Sequence, residues 1–406
     1  MATHTVFSKG FFRDNGMDYQ ARAVLGQAVH GGSDAGEVLA TFDRITDKDS
    51  WRTAWSATAD RVTLHADALR GQGDRLGAQS AYLRAANYWA CVVESLSELD
   101  DEGAILRAFH AHRAAWDQFV ECSAGAHVRV GVPYESTELP GFLLRPDASG
   151  TPRPTLVITN GSDGAVSGLW SYAAAGALRR GWNAFVYDGP GQQSMLFDRH
   201  TAFRPDWEAV LKPVLDALTA RADVDAARLT GYGISQGGYW LPRALAFEHR
   251  LVAAVVDPGV VDVSTSWTEP LSKSMRGQLE RGDQAAFNRD MKLATMLPSL
   301  RRTLAFRSRP YQSEADWFSL YAEIADYRLT RELADRITTP VLITDPEGEQ
   351  FWPGQSKQLA AMLGDRAYRV DFSAEEGANL HCEPLGRAVT EERMFAWLDR
   401  QLATRS

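Results

Sequence analysis

The chain has 406 residues, 45% apolar and 23% charged, the balance of a folded globular protein with apolar surface enough to offset chain entropy. Its length suits two domains, or one large domain carrying insertions. Lys and Arg number 43 against 52 Asp and Glu, a net charge of −9, and no basic run is present to neutralise phosphates, so nucleic acid is not an expected partner; no window approaches the ~18 apolar residues of a membrane span.

The N-terminal MATHTVFSKGFFRDNG lacks the apolar stretch of a secretory leader. Cys91, Cys122 and Cys382 are too few for a disulfide framework and lack metal-ligand spacing, so a cytoplasmic protein with reduced thiols is expected. Residues 1–125 read as a helical domain. Long helices are expected over Asp49–Gly71, Arg75–Leu96 and Asp100–Ala124, with apolar residues at three- and four-residue spacing, as in Ala81, Leu83, Ala86, Tyr88, Trp89, Cys91 and Val92. Asp49 and Asp100 are candidate N-caps, and Gly71 and Gly73 mark a turn. Two shorter helices are expected near Tyr19–His30 and Ala35–Ile45. His110 and His112 lie two apart, off a common helical face, which argues against a metal site.

From residue 126 the pattern changes. AHVRVGVP and LPGFLLRP read as a strand pair. Short apolar strands then alternate with helices: TLVITN, a helix near Ala165–Arg180, NAFVYD, a helix from about Asp206, RLTGYG, a helix over Ser235–His249, and LVAAVVD. After a helical stretch at 262–338 come VLIT, the helix Gly354–Leu363, YRVDF and a last helix at Thr390–Ala403. Alternation of this kind implies an α/β fold, a mostly parallel sheet flanked by helices over residues 126–406. The insertion at 262–338 is expected to form a lid over the C-terminal ends of the strands.

The most specific motif is Gly231-Tyr-Gly-Ile-Ser-Gln-Gly-Gly238, which contains Gly-x-Ser-x-Gly between a strand and a helix. A tight strand-to-helix turn there would strain the serine backbone and set its oxygen at a helix N-terminus, where a developing negative charge is favoured. Ser235 is therefore the candidate nucleophile, and a serine needs a base oriented by an acid. Of the nine histidines only His381 follows residue 249, directly after the strand YRVDF, so it is the candidate base. The acid should lie in Asp345-Pro-Glu-Gly-Glu-Gln-Phe-Trp-Pro353, with Asp345, Glu347 and Glu349 available. Glu349, four residues before Pro353, is chosen, with Glu347 as its rival. The oxyanion hole should combine the N–H of Gln236 with that of Gly161 or Ser162, in the loop after the first buried strand.

At these residues the sequence resembles the α/β-hydrolase superfamily, over about 126–406. The turn Asp188-Gly-Pro-Gly-Gln192 recurs in one branch. With a helical N-terminal domain, Ser235-Gln-Gly-Gly-Tyr, Arg243, Glu248-His-Arg250, His381-Cys382 and Leu385-Gly386, it most resembles the 2,6-dihydroxypseudooxynicotine hydrolases and the fungal heptaketide hydrolases. That resemblance implies hydrolysis of a carbon–carbon bond beside a ketone, without metal or cofactor. It also implies a substrate-orienting glutamate, for which Glu269 is the candidate. The chain departs from the pseudooxynicotine enzyme in Glu349, where that relative has Asp, and in its lid.

Further substrate contacts are expected from Trp240, Trp267 and Trp352, with Trp170 near another loop end, and from Asp163. The expected partner is a mid-sized carbonyl compound enclosed between the N-terminal helices and the lid; a homodimer is possible. An esterase, peptidase or amidase would use the same residues, and an acyltransferase or cyclase would pass the acyl group to something other than water. A non-catalytic docking protein would not need the intact set.

Overall fold

A computed structural model describes residues 9–97, 99–312 and 316–403. Ahead of the sheet lie α1 (Asn15–Gly26), α2 (Ala35–Phe42), α3 (Lys48–Gly71), α4 (Arg75–Val93) and α5 (Glu102–Glu121). Each starts on an aspartate whose carboxylate accepts a first-turn N–H: Asp14, Asp34, Asp47, Asp74 and Asp101. The caps expected at Asp49 and Asp100 thus fall at Asp47 and Asp101, the carboxylates that reach the Ser50 and Ala104 N–H groups. Asp100 instead accepts the Ser97 N–H (2.9 Å).

Eight strands form one sheet: β1 (His127–Tyr134), β2 (Thr137–Leu144), β3 (Arg153–Thr159), β4 (Asn183–Tyr187), β5 (Val224–Ile234), β6 (Ala253–Asp257), β7 (Val341–Pro346) and β8 (Ala367–Phe372), in the order β1-β2-β4-β3-β5-β6-β7-β8. The pairs β1–β2 and β2–β4 are antiparallel, and all others are parallel. Helices α6 (Ala175–Arg179, after a π turn at Trp170–Ala174), α7 (Gln193–Phe197), α8 (Glu208–Thr219) and α9 (Gly237–Leu245) lie between β3 and β6. The helix after Ser235 ends at Leu245 rather than His249; beyond it, Glu248 folds back on the Arg250 N–H (3.0 Å). Among the described residues, the β6–β7 segment makes six helices, α10 (Thr265–Thr268), α11 (Lys273–Glu280), α12 (Gln284–Ala294), α13 (Pro298–Ser308), α14 (Trp317–Ala325) and α15 (Arg331–Arg336). Then come α16 (Gln355–Leu363), between β7 and β8, and α17 (Arg387–Ala403). No helix among the described residues is long and apolar enough to cross a membrane.

Strand side chains alternate between two apolar cores, as the period of two requires. Leu156, Ile158, Ala184 and Val186 face one core; Val157, Phe185 and Tyr187 face the other. The second core is closed by α8, α9 and the β6–β7 helices. The first is closed by α17 and by the N-terminal helices themselves. Trp51, Trp55, Tyr88 and Trp116 belong to the same continuous cluster as Phe142 and Leu144 of β2, and Trp116 meets the Phe142 ring edge-on at 5.6 Å. The chain passes from helix to strand near residue 126, but the core does not divide there.

A buried ionic cluster ties the carboxy ends of β5 and β6 to α17. The Arg387 guanidinium donates to Asp257 Oδ2 (2.9 Å), to the Cys382 carbonyl (2.8 Å), to the Tyr232 hydroxyl (3.1 Å) and to the Tyr172 carbonyl (2.8 Å). Tyr232 in turn donates to Asp257 (2.6 Å). Burial pushes the Asp257 carboxyl up, but Arg387 and Tyr232 outweigh it and hold the group below its usual range. Burial and the Asp257 charge raise Glu383 well above its own, so one carboxylate balances one guanidinium.

Two outcomes follow from this packing. A chain beginning at Ala126 would expose the sheet face that Trp116 covers; it should be insoluble or lose its cooperative unfolding transition, measured by thermal or urea melts. Arg387→Met should cost about 3–5 kcal/mol, because it strands the Asp257 charge. The same melts check this second expectation.

Candidate active site

Ser235 follows β5 directly and precedes α9, with a φ of 55°. Its N–H donates to the Asp257 carbonyl (2.6 Å), which fixes the turn against the end of β6. The flanking glycines are required by space. A Cβ at Gly233 would fall on the Gly237 carbonyl, and one at Gly237 would stand 2.6 Å from the Thr159 carbonyl oxygen. Such a residue in left-handed geometry persists only because its surroundings over-determine it.

His381 lies in the loop between β8 and α17. Its Nε2 is 2.9 Å from Ser235 Oγ, and its Nδ1 is 2.8 and 3.0 Å from the two Glu349 oxygens. The His381 and Glu349 side chains are only 3% and 5% exposed, so this chain of hydrogen bonds runs outside bulk water. Glu349 Oε1 also accepts the N–H groups of Phe351 (2.8 Å) and Trp352 (3.1 Å). Burial pushes its carboxyl up, but His381 and these two N–H groups more than offset that and hold it below the ordinary glutamate value. The rival acids are engaged elsewhere: Glu347 accepts the Ala374 N–H (2.7 Å), and Asp345, inside β7, pairs with Arg369.

The loop after β3 lies against the serine, so that a Cβ at Gly161 would be 2.8 Å from the Ser235 Cβ. The Gly161 N–H is already taken by Asn160 Oδ1 (2.8 Å). The Gln236 and Ser162 N–H groups have no such partner among the described residues, which favours Ser162 over Gly161 as the second anion donor. The loop is held from behind by Gln192, whose amide nitrogen donates to the carbonyls of Asn160 (3.0 Å) and Gly161 (2.9 Å) while its oxygen accepts the Gly189 N–H (2.8 Å).

Above these groups lies a cavity of about 440 Å³. Its walls come from three parts of the chain: the N-terminal helices (Tyr19, Glu94), the loops at the strand ends (Asp163, Trp352) and the β6–β7 helices (Trp267, Phe306). Trp267, Trp352 and Asp163 therefore stand where substrate contacts are expected. Two expected contacts do not. Trp240 points away into the second core, stacked on Trp207 at 4.4 Å, because its place on α9 turns it from the serine. Glu269 caps a short helix at the exposed outer side and is not part of the wall. Trp170 donates to the His30 carbonyl (2.9 Å) inside the first core. His112 is buried against Ser167 Oγ (3.0 Å), and His110 pairs with Asp198 (2.9 Å).

Three residues that no motif marks also hold the site. Tyr19 of α1 donates its hydroxyl to the His381 carbonyl (3.1 Å), and Gln350 accepts the His381 N–H (3.0 Å). Gln192 is the third. Gln192 and Gln350 do lie within segments that the sequence singles out, the Asp188–Gln192 turn and the Asp345–Pro353 loop, but nothing in either segment assigns them this role.

No protein-family model matches the chain. It is 35% identical to the 20-hydroxy-prefusarin hydrolase FUS2 of Gibberella moniliformis, over 98% of each chain, and 31% identical to the hydrolase LUC6 of a Fusarium species, over 99% of each. It is 30% identical to the alpha/beta hydrolase psoB of Aspergillus fumigatus, over 99% of this chain and 95% of that one. Among solved structures, the fold matches a 2,6-dihydroxy-pseudo-oxynicotine hydrolase (TM-score 0.71, 16% identity, 92% of this chain and 94% of that one). It also matches AbyA5 (TM-score 0.62, 17% identity, 97% and 100%). With such identity over nearly the whole length, the chain belongs to the α/β-hydrolase family and is a hydrolase.

Proposed function

We propose that the protein is a serine hydrolase in which Ser235 is the nucleophile, His381 the general base and Glu349 the acid that orients it, acting on a mid-sized ketone. The observation that carries this reading is the continuous chain of hydrogen bonds from Ser235 Oγ through His381 to Glu349, opening on a cavity of about 440 Å³.

In the first step His381 Nε2 takes the Ser235 proton as Oγ adds to the substrate carbonyl. The carbonyl oxygen becomes an oxyanion within reach of the Gln236 and Ser162 N–H groups, each such donor being worth about 3 kcal/mol of barrier. The carbon–carbon bond then breaks, its electron pair leaving as an enolate that takes the proton back from the imidazolium. Water, deprotonated by His381, cleaves the acyl-Ser235 ester and releases a carboxylic acid. Glu349 stays ionised throughout, because its pKa lies below the usual value, and so it steadies the imidazolium at every step. Carbon–carbon cleavage needs a leaving carbanion stabilised by a second carbonyl, so β-dicarbonyl or aryl-ketone compounds fit best. The 20-hydroxy-prefusarin hydrolase named above is consistent with an oxygenated ketide-like substrate.

Ester or amide cleavage would use the same groups with a heteroatom leaving. The two are separated by incubating a panel of aryl β-diketones and of matched esters in ¹⁸O-water: the proposal expects label in the acid and a new C–H bond in the ketone fragment. Larger ketones should be turned over faster than p-nitrophenyl acetate, because contacts of the rest of the molecule with the enclosing walls supply binding energy that a small ester cannot. An enzyme that cleaves only the esters has the ester reading instead.

Three variants test the machinery. Ser235→Ala should abolish turnover and fluorophosphonate labelling while leaving the melting temperature near that of the parent. Glu349→Gln should lower kcat on the order of 10⁴-fold, as expected when a histidine loses its orienting carboxylate. Glu347→Gln should have little effect, and the opposite ranking would transfer the role to Glu347.

A further inference from the structure

One side of the cavity is polar in a way that the chemistry at Ser235 does not use. Glu94 stands there, one residue beyond α4, in the wall that the N-terminal helices supply. Among the described residues no hydrogen-bond partner or counter-charge holds its carboxyl. The groups around it explain why. Asp163, from the loop after β3, is like-charged. None of the four Lys and Arg residues on the cavity wall offsets it: Arg302 is exposed, and the other three are engaged elsewhere. Arg309 donates to the Leu96 carbonyl (3.3 Å) and lies over the Phe197 ring (4.7 Å); Arg307 donates to Ser266 Oγ (2.9 Å) and lies over Trp267 (4.2 Å). Lys48 pairs with Asp14 (3.3 Å). Burial keeps Cys91, one turn earlier on α4, and Tyr172, in the π turn, as neutral thiol and phenol.

Burial, with Asp163 as the second cause, pushes the Glu94 carboxyl up to about 8. At neutral pH it is a carboxylic acid, able to donate a hydrogen bond as well as accept one. On the same cavity, the buried amide oxygens Gln27 Oε1 and Gln193 Oε1 have no donor among the described residues. Buried polar atoms left unpaired cost stability unless something completes them. A purely hydrocarbon occupant would leave all three groups unmet.

We propose that Glu94 is a specificity-determining residue whose carboxyl donates a hydrogen bond to a ketone or enol oxygen carried by the substrate away from the bond that is cut, while Gln27 and Gln193 accept from its hydroxyl groups. The proposal rests on the hydrolase reading of Ser235 and adds a substrate class to it: a polyoxygenated acyl chain rather than a plain aliphatic one. A carboxylic acid suits this task because it recognises an acceptor oxygen without bringing a charge into the cavity. Asp163 keeps it so, by opposing a second negative charge. Glu94 is thereby a group that discriminates and need not touch the reacting atoms.

The test uses p-nitrophenyl esters of straight-chain acids over a range of lengths, each paired with oxo-acid esters of the same length. The readout is the ratio of kcat/KM for the oxo ester to that for its plain partner within one protein, which cancels general effects on folding or on Ser235. In the parent protein at about pH 6.5, at least one oxo ester should be preferred by about tenfold, mainly through KM, the size expected of one good hydrogen bond. Because the donor proton leaves as pH rises through about 8, the preference should fall between about pH 7 and 9.5. Glu94→Gln should keep a preference that no longer changes with pH, its amide still donating. Glu94→Leu should bring the ratio to about one at every pH. A preference that survives in Glu94→Leu, or a parent protein with none, overturns the proposal. Fluorophosphonate labelling of Ser235 is followed in parallel: a parent protein that neither labels nor cleaves any ester refutes the hydrolase reading, and the proposal falls with it. A labelled, active enzyme without oxo preference refutes the role of Glu94 alone.

Discussion

The site hangs from a single residue at the carboxy end of β6. The main-chain oxygen of Asp257 accepts the Ser235 N–H (2.6 Å) and faces the Cys382 thiol (3.2 Å), while its side chain takes Tyr232, Thr344 and Arg387. One carbonyl therefore sets the serine turn, and it also sets the residue next to His381. Residues 235 and 381 belong to loops far apart in the chain, and their separation is governed by how both abut the same strand end. The price is a charge buried at the centre of the molecule. Arg387 compensates it by reaching from the C-terminal helix to five acceptors at once, Glu383 Oε2 (3.3 Å) among them, a geometry that a planar guanidinium can satisfy and an ammonium cannot. Rigidity at this point is what preorganised hydrogen bonds around a reacting oxygen require.

The N-terminal helices serve packing and site together. Their tryptophans complete one of the two cores of the sheet, so they cannot be a detachable cover. Because α1 and α4 are locked in that core, Tyr19 arrives at the His381 carbonyl and Glu94 at the cavity wall without any further device. The opposite wall, from the β6–β7 helices, brings Arg307 over Trp267. On the proposed reading, Ser235 enclosed between two such walls would work in a medium of low polarity, where each aimed hydrogen bond counts for more than it does in water.

Much of this was legible in the sequence, and the parts that were share a feature. Gly-x-Ser-x-Gly needs its glycines for reasons confined to a few neighbouring residues, so the turn at Ser235 can be read from the motif and its flanking strand and helix. The alternating strands, the helical insertion and the histidine after the last strand are likewise visible as short-range periodicity and chain order. Reading failed where a side chain's direction, rather than its place in the chain, decides the outcome. Trp240 sits five residues from Ser235 yet faces the far core, and Glu269 lies on a surface turn. The two caps missed by one or two residues, Asp47 and Asp101, were chosen by which carboxylate could reach an N–H, a matter of a few ångströms.

The sequence by itself determined the fold class, the strand–turn–helix around Ser235 and the short lists from which His381 and Glu349 were drawn. Hydrophobic period, glycine sterics and proline placement act over a few residues, and they are written directly in the order of the chain. Tertiary structure placed Glu349, the residue preferred from the sequence, against His381 and turned Glu347 to the Ala374 N–H, engaged the Gly161 N–H but not that of Ser162, and brought Tyr19, Gln192 and Gln350 to the site. Most of these choices depend on contacts between residues about 30 to 360 positions apart. Such contacts are set by how the helices and the sheet pack together, and no local pattern records them.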